Sequence, residues 1–171
     1  MTAAQVDLWK QREENRSNFE KLADNVIQRS NSSYKVKPKQ AICMENVVNG
    51  KDTLAILPTS YGKSLIYQML PPLSIEMKIA TNPILIVVSP LKFLIRNQID
   101  EIKELESYFQ IKGCSLEKHN TVQSIKSGGF NIIFGIPEMW LSPSVKEMLS
   151  SSYLRQNLIC IVVDEARQVS R

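Results

Sequence analysis

The chain has 171 residues, is 43% hydrophobic and carries a net charge of +4 with a sequence pI near 9.0. That is long and apolar enough for one α/β domain with a substantial core, which excludes a disordered chain, and basic enough to permit a phosphate-backbone partner without demanding one. No apolar run approaches the roughly 18 residues that cross a bilayer, and no signal-peptide core opens the chain, so no membrane partner is expected.

In chain order, residues 1 to 30 form a charged N-terminal segment in which Phe19, Leu22 and Val26 fall at helical spacing, and Asn31-Ser32-Ser33 breaks the pattern. After Pro38 a helix is expected from Gln40 to Val48, closed by Asn49-Gly50. An apolar strand from Asp52 to Leu57 leads through a tight loop into an amphipathic helix that opens at Lys63 and ends at Pro71-Pro72. A second strand, Ile84 to Val88, stops at Ser89-Pro90. The helix after it carries Leu91, Leu94, Ile95, Ile99, Ile102 and Leu105 on one face and Lys92, Arg96, Asp100, Lys103 and Glu104 on the other. A short helix over Thr121 to Lys126 closes at Gly128-Gly129, and a third strand, Asn131 to Phe134, runs into Gly135-Ile136-Pro137-Glu138. The final strand, Leu158 to Val163, is near-continuously apolar, as buried parallel strands are, and ends in Asp164-Glu165-Ala166-Arg167. Strands alternating with helices predict an α/β fold with a mostly parallel sheet flanked by helices.

Two stretches carry chemistry. Between the first strand and its helix stands Leu57-Pro58-Thr59-Ser60-Tyr61-Gly62-Lys63-Ser64, the layout of a phosphate-binding P-loop. Backbone N–H groups at the helix start face a phosphate, the lysine reaches the β/γ-phosphates and the serine hydroxyl coordinates Mg²⁺. Leu57 occupies the place of the pattern's first glycine. At the far end, Asp164 is suited to hold Mg²⁺ and Glu165 to polarise an attacking water, because an α/β sheet presents ligand-facing residues at the carboxyl ends of its strands. Cys43, Cys114 and Cys160 are odd in number and too widely spaced for a disulfide framework or a zinc motif, and a reducing, intracellular compartment is expected, nuclear if the source is eukaryotic. His119 is the only histidine, which speaks against a histidine triad.

With these pieces in order, the chain from about Tyr34 to Ser170 resembles the first RecA-like lobe of a superfamily-two helicase, and most closely the RecQ family. Val36-Lys37-Pro38-Lys39-Gln40 is similar to that family's adenine-binding motif, which implies Lys37 and Gln40 on the base side. Leu57 to Gln68 is similar to its P-loop and following helix, which implies ATP and Mg²⁺ held by Pro58, Thr59, Ser60, Tyr61, Gly62, Lys63 and Ser64. Val87 through Gln98 and Gly135 to Glu138 are similar to its DNA-contacting segments, which implies Ser89, Pro90, Leu91, Arg96, Pro137 and Glu138 in nucleic-acid binding. Ile161 through Ser170 is similar to its hydrolysis motif, with Lys63, Asp164 and Glu165 catalytic and Ser64 and Asp164 on the metal. A DEAD-box RNA helicase would carry Pro-Thr-Arg-Glu-Leu after the second strand; Ser89-Pro90-Leu91 stands here instead. The resemblance therefore implies DNA, single-stranded or tailed, and translocation from 3′ to 5′.

Ser60 stands where the family has a loop glycine, so a positive φ there would strain it. Arg167 replaces a histidine that couples hydrolysis to DNA in the family; arginine keeps a donor but is larger and always charged. The domain expected over residues 31–171 is a helicase ATP-binding lobe truncated after Asp-Glu-Ala-Arg, without its second RecA-like lobe, and as an isolated fragment it is expected to bind nucleotide and not to unwind. A non-catalytic nucleotide- or DNA-binding module is the alternative. An unrelated P-loop ATPase or kinase would leave Gln40 and Ser89-Pro90 as accidents.

Overall fold

A computed structural model describes residues 17–30, 33–117 and 121–164. Asn31, Ser32, His119, Glu165, Ala166 and Arg167 lie outside the described residues, as does the start of the charged N-terminal segment.

Helix α1 (Asn18–Gln28) begins where the Ser17 hydroxyl accepts a hydrogen bond from the Glu20 N–H at 3.0 Å, and α2 (Pro38–Val48) begins on a proline at its first position. The phosphate-loop helix α3 (Lys63–Gln68) is followed almost at once by α4 (Leu70–Glu76). Pro71 and Pro72, expected to end a helix, instead sit in the first turn of α4, where a missing N–H costs nothing. Then come β1 (Ile84–Val88), α5 (Lys92–Phe109), β2 (Gly113–Ser115), α6 (Thr121–Lys126), β3 (Ile132–Gly135), three short helices α7 (Pro137–Trp140), α8 (Pro143–Leu149) and α9 (Ser152–Asn157), and β4 (Leu158–Val163).

The four strands form one parallel sheet in the order β2-β3-β1-β4. Side chains alternate across it. Leu85 and Val87 of β1, with Ile132 and Phe134 of β3, join Met44, Leu70, Leu73, Ile95 and Ile102 in one core beneath α1–α5. Ile84, Ile86 and Ile133 face the other way, into a second core with Ile125, Trp140, Met148 and Leu154 of α6–α9. Helices on both faces explain why β1 and β3 read as unbroken apolar runs. The charged segment's helix is part of this body: Phe19, Val26 and Ile27 of α1 are buried in the first core.

Two expectations need correction. No strand forms from Asp52 to Leu57; residues 51–56 are exposed, and of the run only Leu57 packs on the core. A strand is a paired state, and this segment finds no ladder partner among the described residues, so apolarity alone does not make it one. It nevertheless runs near β4: burial pushes the Cys160 thiol up, and the Asp52 carboxylate adds to that rise. Consistently, β4 lies at the sheet edge among the described residues rather than being buried on both faces as expected, with Ile161 and Val163 more than half exposed.

Candidate nucleotide and nucleic-acid site

The loop before α3 is shaped by two left-handed residues. Ser60 has φ 62° and Gly62 φ 89°, while the Tyr61 N–H donates to the Pro58 carbonyl at 3.2 Å. Glycine is required at position 62 twice over. Its φ suits no Cβ, and a Cβ there would lie 2.7 Å from Gln40 Nε2 and 3.4 Å from the Tyr34 hydroxyl. Ser60 meets the first condition without being glycine, the strain anticipated above. Ser60→Gly should relieve about 1 kcal/mol and tighten ATP binding several-fold; unchanged or weaker affinity in a nucleotide titration would count against a strained loop.

What holds the loop is Gln40. It is fully buried, and its Oε1 accepts from the Tyr34 hydroxyl and the Lys37 N–H, both at 2.9 Å. Its Nε2 donates to the carbonyls of Tyr61 at 3.1 Å and Gly62 at 2.9 Å. The amide is thus saturated, two bonds accepted and two given. In this arrangement it braces the phosphate loop. Lys37 is also turned onto the loop: its Nζ donates to the Tyr61 carbonyl at 2.9 Å and lies 4.5 Å from the Tyr61 ring centroid, a cation–π contact. Asp24 fixes the approach by accepting the Val36 N–H at 2.7 Å. Sequence reasoning missed Tyr34 and Asp24; neither carries a spacing signal, since their partners are brought by folding.

Beside the loop opens a cavity of about 510 Å³ lined by Ile27, Tyr34, Gly62, Leu65, Met69 and Phe109. Apolar and aromatic walls with a few polar groups at the rim suit a planar heterocycle such as a purine. Pro58, Thr59 and Ser60 are exposed, and Tyr61, Lys63 and Ser64 half-buried. No hydrogen bond or ion pair engages Lys63 among the described residues, leaving its ammonium open to an anion.

Asp164 follows β4, its N–H donating to the Val88 carbonyl at 2.9 Å, so it stands at the carboxyl edge beside the end of β1. Its charge reaches α3: burial raises the Tyr67 phenol strongly, and the Asp164 carboxylate adds to the rise, ahead of Glu101. A serine hydroxyl and a carboxylate are the hard oxygen donors Mg²⁺ prefers, and by that chemistry Ser64 and Asp164 fit the ion.

The expected nucleic-acid residues collect at the same edge. The Ser89 N–H donates to the Gly135 carbonyl at 3.0 Å, tying the ends of β1 and β3 together. The Trp140 indole N–H donates to the same carbonyl at 3.1 Å and holds the turn of α7, where Glu138 is exposed. Leu91, Arg96 and Phe93 are exposed on α5 and its cap, and Lys92 pairs with Glu117 at 3.4 Å. Ser89 itself departs from expectation. It is 3% exposed, and its hydroxyl meets no hydrogen-bond partner, so it faces inward while Pro90 and Leu91 form the surface.

The DEAD/DEAH box helicase family profile matches residues 37–171. Among curated proteins, the chain is 32% identical over 155 residues to the ATP-dependent helicase SGS1 of Saccharomyces cerevisiae, covering 86% of this chain and 10% of that protein. It is 34% identical to ATP-dependent DNA helicase Q-like 5 of Arabidopsis thaliana over 81% of this chain and 14% of that one, and 30% identical to ATP-dependent DNA helicase RecQ of Haemophilus influenzae over 72% and 19%. It therefore spans between a tenth and a fifth of these relatives' lengths. Among solved structures, the DUF1998 helicase MrfA bound to DNA and AMPPNP superposes with a TM-score of 0.69 at 21% identity, over 85% of this chain and 21% of that one, a likeness of fold.

Proposed function

The chain belongs to the DEAD/DEAH box helicase family and carries the ATP-binding domain of a RecQ-like helicase, and from that premise we propose that it couples ATP hydrolysis to 3′-to-5′ translocation on DNA and to unwinding. The observation that carries the reading is the braced loop: Gln40 clamps Tyr61 and Gly62 and leaves Lys63 and Ser64 unengaged by it, at the start of α3. In this role Lys63 grips the β/γ-phosphates, and the base enters the cavity beside Tyr34. Gln40 and Lys37 reach the base by giving up one of their loop contacts. Mg²⁺, held through Ser64 and Asp164, would neutralise phosphate charge. Glu165 is the residue proposed to orient the attacking water.

Related phosphoryl-transfer systems gain roughly 10³–10⁵ in rate from an arginine across the γ-phosphate. Turnover in this reading requires such a residue from a second RecA-like lobe, which is proposed to complete the site. DNA is proposed to lie along Pro90, Leu91, Arg96, Pro137 and Glu138. Arg96 touches a phosphate, and the Glu138 carboxylate accepts from a base amino group. The direction of travel follows from the RecQ resemblance.

The test is a titration of labelled single-stranded DNA at several salt concentrations. Binding should weaken with salt, and Arg96→Ala should flatten the log–log slope by about 0.7, one single-strand phosphate contact. A slope unaltered by Arg96→Ala would remove Arg96 from the interface. Nucleotide binding with no DNA binding at all would favour a nucleotide-binding module and sink the helicase reading.

A further inference from the structure

A polar cluster, buried on the side of the phosphate-loop helix, joins that helix, α3, to α5. The Tyr67 hydroxyl donates to Gln98 Oε1 at 2.7 Å. Gln68 Nε2 donates to the same oxygen at 3.1 Å and to Glu101 Oε2 at 2.7 Å. Tyr67 and Gln68 are 4% and 5% exposed, Gln98 is half-buried and Glu101 exposed, so the donors are shielded from water while their acceptors lie at its boundary. Apolar contacts alone would let two helices slide past one another. Four polar groups fixed at these distances do not.

The positions matter. Tyr67 lies one helical turn beyond Lys63 and Ser64, on the same short helix. Gln98 and Glu101, three apart on α5, share one face of that helix, whose first turns present Leu91, Phe93 and Arg96 to solvent. Asp164 stands close enough to Tyr67 to act on its phenol.

We propose that the Tyr67–Gln98–Gln68–Glu101 cluster couples the two ligand sites: nucleic acid that shifts α5 moves Tyr67, and with it the grip of Lys63 and Ser64 on phosphate. Tyr67 and Gln98 are positioning residues that touch neither ligand. The inference rests on the ATP and DNA reading above.

It is tested by measuring single-stranded DNA affinity with and without a non-hydrolysable ATP analogue and Mg²⁺, and the analogue's affinity with and without DNA. In the unaltered chain each ligand should change the other's affinity by the same factor, roughly 5- to 150-fold, since linkage is reciprocal. Tyr67→Phe keeps the ring and its edge contact with Phe134, centroids 6.4 Å apart, and removes only the hydroxyl. It should bring the factor to within about twofold of one while leaving each separate affinity intact. Gln98→Met should do the same, and the double variant should do no more than either single one. A factor unchanged in both variants overturns the proposal, as does a unaltered chain that binds both ligands independently, or variants that lose both affinities with the factor preserved. Failure of the unaltered chain to bind one ligand overturns the reading beneath it, and this inference with it.

Discussion

Gly62→Ala should weaken ATP binding by at least about 30-fold, because two penalties act on one methyl group. A non-glycine residue held at φ 89° is in the left-handed region, which costs roughly 1–2 kcal/mol. The added Cβ would also stand 2.7 Å from Gln40 Nε2. That amide cannot swing aside cheaply, since it is held by Tyr34, Lys37, Tyr61 and Gly62 together, and crowding of a packed site of this kind typically costs about 1–3 kcal/mol. The unliganded loop relieves the strain by leaving the cradle shape, so the melting temperature largely holds and nucleotide binding must restore that shape at the full cost. Nucleotide titration and thermal melting together read the whole. Undiminished ATP affinity in Gly62→Ala would mean that the loop of this structure is not the loop that binds nucleotide.

Strands β1 and β3 were legible in the sequence because a strand covered on both faces must be apolar at every position, and that signal is local. The failure at Asp52 to Leu57 has the same root. Composition marks a segment as able to pair, but whether a partner lies alongside is a non-local fact. β4 shows the complementary lesson: Leu158 to Val163 has the composition of a central strand and occupies the sheet edge. Helices α7, α8 and α9 are too short for periodicity to register, and two of them start on prolines that in sequence look like breaks. Within the candidate site, Gly62, Lys63, Ser64 and Asp164 could be nominated from the sequence because phosphate and metal chemistry dictate their types and spacing. The saturation of Gln40 was not, since its partners Tyr61 and Gly62 are 21 and 22 residues away. Nor was the inward turn of Ser89, which depends on how the ends of β1 and β3 are tied.

Lys63→Ala should separate phosphate recognition from folding. Lys63 opens α3, half-buried, with no hydrogen bond or ion pair to any described residue, so its removal breaks nothing in the unliganded chain. A cation at the start of a helix opposes the helix dipole, and alanine is the better helix former; the melting temperature should therefore hold or rise slightly. With nucleotide bound the balance reverses. A charge-assisted hydrogen bond from an ammonium to phosphate is worth about 1.5–3 kcal/mol, so ATP affinity should drop roughly 10- to 150-fold. The loss should depend on phosphate length. A lysine that reaches the β/γ-phosphates contributes nothing to AMP, whose base and α-phosphate stay beside Tyr34 and the Gln40-braced loop, so AMP affinity should be unaltered. Equal losses for AMP and ATP would place Lys63 elsewhere than at the terminal phosphates, and no loss for either would remove it from the site. Gly62→Ala differs in kind: it deforms the cradle itself and should weaken every nucleotide that touches the loop, whereas Lys63→Ala leaves the cradle standing and removes only the hand that closes on the charge.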